Sequence, residues 1–456
     1  MLVGYVLIST ELLPLERLAE YGFSTRLAKE NFWTKDFTEQ AILEYKKFMY
    51  LAGTAGFMVS PSHIVDLVWH QHLIFTKSYA KFCTIIGKDI QHIPSTHNKE
   101  EYATFKQAKD QTTEQYLAVF GEQPEAIWAH ENMFDSLKLK KARINIRTFM
   151  LLGILAFIGL TIPLYHVLRP VYLEIGNPGF LIGYIVLVLI TFLGLEIINK
   201  NYLRGIIHNQ NEDTFIHHLR PSELIYLKTQ TLSEVVQCTV NQMVQEEKLK
   251  VDSGSILEKE EDVEVESLEE RAILDGFGDS HWSHYPMLLK AMVEKPVFEN
   301  VANCMDAFNK FVLKSSAFGK LFYVNFGIIS MVLTFGFLRM VTGFLRDKPI
   351  GILLFILFLV GFVMFGFLSR LTKQVSTQTI PKLYQDEHIP MSNMVNESQW
   401  DYFRYGTTAL ATTFLPMTIY ADNSGSNFDG GGNSCASSCG SSCGSGCGGG
   451  CGGCGG

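Results

Sequence analysis

A mainly α-helical, membrane-spanning fold is predicted by three observations. Four apolar runs are free of Asp, Glu, Lys and Arg and long enough to cross a bilayer. The stretches outside them carry apolar residues at close to a 3.6-residue period. From Asn423 onward the chain is nearly all Gly, Ser, Asn and Cys, too poor in apolar side chains to fold alone. Hydrophobic residues make up 47% of the 456, and their clustering assigns them to membrane spans rather than to one enlarged core. A net charge of −8 argues against a nucleic-acid-binding protein at the global level.

Residues 1–135 read as a helical, water-soluble block. Its first residues, "MLVGYVLISTELLPLERL", lack a basic n-region and meet Glu11 early, so they make a poor signal peptide. In "WTKDFTEQAILEYKKFMYLAG", Phe37, Ile42, Leu43, Tyr45, Phe48 and Met49 recur at helical spacing. "SPSHIVDLVWHQH" opens with Ser60 as N-cap and Pro61 at the first helical position. "EYATFKQAKDQTTEQYLAVFG" predicts an amphipathic helix that stops at Gly121. A basic linker, 136–147, then enters the membrane.

Thr148–Leu168 and Ile175–Leu195 form a first hairpin within 148–198; Leu321–Leu338 and Pro349–Ser369 form a second within 321–369. Between them, 199–320 contains a helix through Leu224 and Leu227, a capping box of Thr231 and Glu234, a second helix, and the strand-like "KLKVD". That order predicts a small winged-helix unit, with the acidic stretch 258–270 as a solvated linker or wing. A further helical unit covers about 267–318, residues 370–422 form a C-terminal segment, and 423–456 is a disordered low-complexity tail. Lys138, Lys140, Lys141, Arg143 and Arg147 before the first span, and Lys310, Lys314 and Lys320 before the third, place the N-terminal block, the 197–320 loop and the C-terminus in the cytosol. The spans carry no charge at mid-membrane depth, which argues against transport, and Gly179 and Gly183 offer a close-packing pair in the second.

Chemistry concentrates in "IVDLVWHQHLIFTKSYAKFC", residues 64–83. Asp66 and His70 are one helical turn apart, whereas His72 lies about 200° round from His70. The candidate pocket residues are Asp66, Trp69, His70, His72, Tyr79, Cys83 and His92. One reading is a buried hydrogen-bond network that ties helices together. Another is a metal site in which His70, His72 and His92 are ligands and Asp66 orients an imidazole, with Cys83 able to replace a ligand. Catalysis is a third, although no Ser or Cys stands in a recognisable nucleophile motif. In the tail, Cys435, Cys439, Cys443, Cys447, Cys451 and Cys454 put six thiols on a flexible chain, a donor set for zinc or copper(I). The helix after Thr231 presents Glu234, Glu246 and Glu247 with almost no phosphate-neutralising cations, so no DNA partner is expected.

The motifs "FSTRLAKENFWTKDFTEQAILEYKKFMYLAG", "VSPSHIVDLVWHQHLIFTKSYAKFC", "HIP" and "YLAVFGEQPEAIW", in this order across about residues 23–128, resemble the glycine-rich domain-containing protein-like family. From the first span onward the chain resembles a bacterial family of membrane proteins with Gly/Cys-rich tails. There Leu219, Glu223, Leu224, Tyr226 and Leu227 match a motif after the second span, and "KTQT" replaces the usual Gly-rich turn. Neither resemblance implies a reaction. Composition and motifs lead to a non-enzymatic interaction scaffold in the membrane, in contact with lipid and a protein partner and compatible with a homo-oligomer. The alternative is a metal- or ligand-binding sensor or enzyme built on the Asp/His pocket.

Overall fold

The structure, a computed structural model, describes residues 22–92, 99–252, 255–261, 263–265, 267–388 and 397–419. The six-cysteine tail and the start of the chain lie outside the described residues. The N-terminal block comprises α1 (Phe23–Asn31), α2 (Lys35–Thr54), α3 (His63–Ile74), α4 (Thr76–Ile86), α5 (Lys99–Phe120) and the one-turn α6 (Glu125–Trp128). Thr34 caps α2 by accepting a bond from the Phe37 amide at 3.2 Å. The cap of α3 is Ser62, which accepts from the Val65 amide at 3.2 Å, two residues beyond the expected Ser60; Pro61 therefore stands before the helix. Glu44 on α2 accepts from Tyr116 Oη (2.6 Å), Trp128 Nε1 (2.7 Å) and Lys47 Nζ (2.6 Å). Those bonds give "YLAVFGEQPEAIW" a role: it clamps a buried carboxylate, whose burial without donors would be costly.

Four helices are long and apolar enough to cross a membrane: α7 (Ile146–Glu174), α8 (Asn177–His208), α14 (Ser316–Phe344) and α15 (Gly351–Gln374). They do not stand as two separate hairpins. α14 packs on α7, α8 and α15 alike and is the most buried of the four. Polar pairs hold it there, as expected where no water competes. Asn199 and Asn325 exchange amide bonds at 2.9 and 2.7 Å, and Tyr172 Oη donates to the Phe335 carbonyl at 2.7 Å. Arg339, near the far end of α14, donates to the carbonyls of Tyr172 and Ile175 and to Asn177 Oδ1. Close helix approach falls at Gly153 and Gly336, where a Cβ would collide with Phe326 and Tyr184; Gly179 and Gly183 have open space around them.

Between α8 and α14 lie α9 (Pro221–Thr229), α10 (Leu232–Gln245), α11 (Leu268–Asp275), α12 (Tyr285–Val293) and α13 (Pro296–Leu313). They are accompanied by a three-stranded antiparallel sheet in the order β1 (Leu249–Asp252), β2 (Ile256–Lys259), β3 (Trp282–His284). Leu249 pairs with Lys259, and Ile256 with His284. The acidic stretch is not a free linker: it spans the end of β2 and the start of α11, and Glu269 and Glu270 pair with Lys35 (2.7 Å) and Lys248 (3.0 Å). The expected Thr231–Glu234 capping box does not form. Thr231 makes no side-chain cap, and Glu234 instead accepts a bond from Tyr402 on α17 (Glu397–Tyr405).

The cap forms one helix earlier. Glu223 on α9 reaches back to the Arg220 amide (2.7 Å) and also accepts from the Lys35 amide (3.1 Å), so a buried carboxylate joins the N-terminal block to the inter-span region. Burial pushes its pKa up to about 7, against the pull of those two donors. Lys29–Glu299 (2.8 Å), Asn300 to the Thr25 carbonyl (2.9 Å) and Cys304 Sγ to the Phe32 carbonyl (3.1 Å) extend the same seam. Beyond α15, a π-turn at Val375–Thr379, α16 (Ile380–Leu383) and a second π-turn carry the chain from the membrane into this body. There Tyr384 Oη accepts from the Leu219 amide (2.7 Å) and donates to the Ile216 carbonyl (2.9 Å). One continuous hydrophobic core runs from α1 to α17.

Candidate functional site

Helix α3 has two polar faces with opposite surroundings. On the inward face His72 is fully buried. Its Nδ1 lies 2.8 Å from Tyr45 Oη and its Nε2 3.1 Å from Ser78 Oγ, so both ring nitrogens are occupied. Phe23, Tyr45, Tyr79 and Phe82 surround the ring. Burial holds the imidazole pKa down at about 4, so His72 is neutral near pH 7. Trp69 Nε1 donates to Tyr79 Oη at 3.1 Å, and Tyr79 in turn donates to the Ile90 carbonyl. Cys83 is buried and reduced on the same side.

The outward face carries Asp66 and His70. α4 ends at Gly87, whose φ of +80° suits glycine, and the chain turns back past Trp69. Two contacts fix this return: Lys88 Nζ donates to the Ala52 carbonyl (2.8 Å), and Tyr79 holds Ile90. His92 thereby arrives beside Asp66, its Nε2 2.9 Å from Asp66 Oδ1. His70 Nδ1 lies 3.3 Å from Asp66 Oδ2 and 2.9 Å from the Asp66 carbonyl. The two imidazoles are 4.4 Å apart between centroids, and Trp69 meets the His92 ring edge-on at 4.5 Å. One ligand atom from each of Asp66, His70 and His92 falls within 4.8 Å of the others. The three line a cleft of about 570 Å³ whose other walls include Phe57, Met58, Lys88 and Phe105.

The seven sequence-selected residues therefore divide. Asp66, His70 and His92 converge at the cleft, with Trp69 as its back wall; His72, Tyr79 and Cys83 belong to the core. His72 is not part of the ligand cluster, because the 200° offset turns it inward to Tyr45 and Ser78. Asp66 touches both imidazoles directly rather than standing behind one of them. Sequence reasoning missed Tyr45, Ser78 and Glu44. Tyr45 carried a signal, since it sits on the buried stripe of α2, where a phenol must find a partner. Ser78 carried none.

Residues 21–113 match a family described as UCP032817-like. That interval contains α1 to α4, most of α5 and all three converging residues. No curated protein and no solved structure matches the chain.

Proposed function

We propose that this membrane protein is a metal-dependent sensor, holding one divalent transition metal, zinc first among them, between Asp66, His70 and His92. The convergence of three donors within 4.8 Å carries this reading. One carboxylate and two imidazoles suit zinc, and three protein ligands leave a fourth position open to water or a small ligand from the cleft. A zinc-bound water there would ionise near neutral pH, which keeps a hydrolytic role as the second reading. The cleft itself favours neither: beside Lys88 and apolar walls it is lined by His63 and Asp89, neither of which belongs to the three-donor cluster.

The remaining parts fit this role as proposals. The body lies on the cytosolic side of a bacterial inner membrane, on the strength of the basic residues flanking α7 and α14. The packed seam around Glu223 supports a scaffold that passes occupancy of the cleft towards the spans. The inter-span helices and sheet act as a winged-helix-like protein-contact unit rather than a DNA reader, and the six tail thiols take up a soft metal of their own. A resemblance of the first block to the glycine-rich domain-containing protein-like family is part of the same reading.

The test uses the full chain with the six tail cysteines changed to serine, so that zinc at the cleft is counted alone. One equivalent of zinc is expected after dialysis, falling to none in His70→Ala/His92→Ala. Equal zinc in the two proteins would end the proposal.

A further inference from the structure

The membrane entries of α7 and α14 lie far apart in sequence yet are clasped together. Lys141 and Ser315 form an isolated antiparallel bridge, with the Ala142 amide on the Lys314 carbonyl (2.8 Å) and the Ser316 amide on the Lys140 carbonyl (2.6 Å). Two basic stretches thus become one collar. Lys140, Lys141, Arg143, Arg147 and Lys314 are all exposed there, and none has a carboxylate partner among the described residues. A basic collar at a membrane edge is ordinary; what adjoins this one is not.

Immediately membrane-ward, α7, α14 and α15 leave an apolar groove of about 480 Å³. Ile154 and Phe157 form one wall, Ser330 and Phe337 the second, Leu357 and Phe358 the third. At its lower end Gly153 lets Phe326 lie against the α7 backbone, so the floor is protein rather than a gap between helices. Arg147 and Ile154 are seven residues apart on α7, which puts them on one face, the cation two turns nearer the collar.

We infer that collar and groove together bind one anionic phospholipid, its headgroup phosphate on Arg147 and Lys141 and an acyl chain in the groove. An unbranched hydrocarbon chain fits walls of this composition. The collar favours a phosphate that carries net negative charge over a zwitterionic headgroup. A second copy of the chain is the poorer occupant, because its own collar would bring like charges to the same edge. This site is independent of the metal reading.

The test uses the detergent-purified, delipidated full chain, titrated with dioleoylphosphatidylglycerol or dioleoylphosphatidylcholine in mixed micelles, with binding read by native mass spectrometry. The anionic phosphatidylglycerol should bind at least about fivefold more tightly than phosphatidylcholine, each collar cation contributing roughly that factor. Arg147→Ala/Lys141→Ala should bring the two lipids close to parity. Ser330→Phe, which fills the groove, should weaken both, whereas Ile190→Phe on the exposed flank of α8 should change neither. Equal binding of the two lipids to the wild type overturns the site. So does binding of both lipids that survives Ser330→Phe undiminished, since that outcome reports only surface attraction.

Discussion

His70 and His72 stand two residues apart on one helix, and their surroundings share almost nothing. His72 is walled in by aromatic rings and bonded through both nitrogens; His70 is exposed at a cleft, beside a carboxylate and a second imidazole. The chemistry of the two side chains is the same, so the difference comes from which way α3 turns each one and what packs there. A buried neutral imidazole with both nitrogens engaged is a structural element, comparable to an aromatic residue that also needs partners. An imidazole with solvent on one side keeps a ring nitrogen within reach of a ligand. The short motif thus serves stability inward and chemistry outward, and the two roles can be separated by mutation.

The largest separation is expected from alanine at each position in the metal-free protein. His72→Ala removes a fully buried ring and strands Tyr45 and Ser78, for a loss of about 3 kcal/mol, whereas His70→Ala costs about 0.5 kcal/mol or less. Denaturant unfolding of the purified protein, followed by tryptophan fluorescence, measures both. Equal losses would break the comparison.

A pH series sharpens it. His72 titrates near 6.5 when unfolded and at about 4 when folded. The stability it contributes is therefore complete above about 6.5 and is lost as pH falls through 4, on the order of 3 kcal/mol. His72→Leu should flatten this acid limb. Glu223 has the opposite sign: its carboxyl ionises near 4.5 unfolded and at about 7 folded. Its contribution is complete below about 4.5 and is lost as pH rises through 7, by roughly 3 kcal/mol. Glu223→Gln should remove that second limb, while costing roughly 1–3 kcal/mol where its amide faces a backbone N–H. An unchanged slope above pH 5 in this variant would show that Glu223 is not the group responsible.

The smallest stability effect links the two faces. Tyr79→Phe strands Trp69 Nε1 and the Ile90 carbonyl, costing about 1 kcal/mol. Tyr79 belongs to the core, yet it positions the segment that brings His92 to Asp66. Its loss should therefore lower zinc affinity on the order of 10-fold, as removal of a positioning contact does. Unaltered zinc affinity in Tyr79→Phe would leave the inward and outward faces uncoupled.

Much of this was legible in the residues. The four spans follow from uncharged length alone, and the separation of His70 and His72 onto different faces follows from a 100° step per residue, though not which of them turns inward. The Asp66–His70 pairing was readable as an i, i+4 spacing. The arrival of His92 was not, because it depends on the left-handed turn at Gly87 and on Tyr79 holding Ile90, contacts that no local pattern encodes. The central position of α14 was equally hidden. All four spans are apolar, and what distinguishes α14 is the set of partners for Asn325 and Arg339 on other helices. Helix caps failed for a related reason. Thr231 and Glu234 have the right spacing, but Tyr402 from the distant C-terminal segment claims Glu234.

The clasp between Lys141 and Ser315 has a consequence for synthesis. At roughly 5–20 residues per second, Ser315 leaves the ribosome about ten to thirty-five seconds after Lys141. The first two membrane helices are thus made well before the segment that pins the entry of α7 exists. Asn199 and Glu223 likewise await or precede their partners across long intervals of chain, so the nascent protein holds a half-built bundle whose central helix arrives third. Until α14 arrives, Asn199 lacks the amide it exchanges bonds with in the finished fold, and the α7 backbone at Gly153 lacks the ring that packs on it.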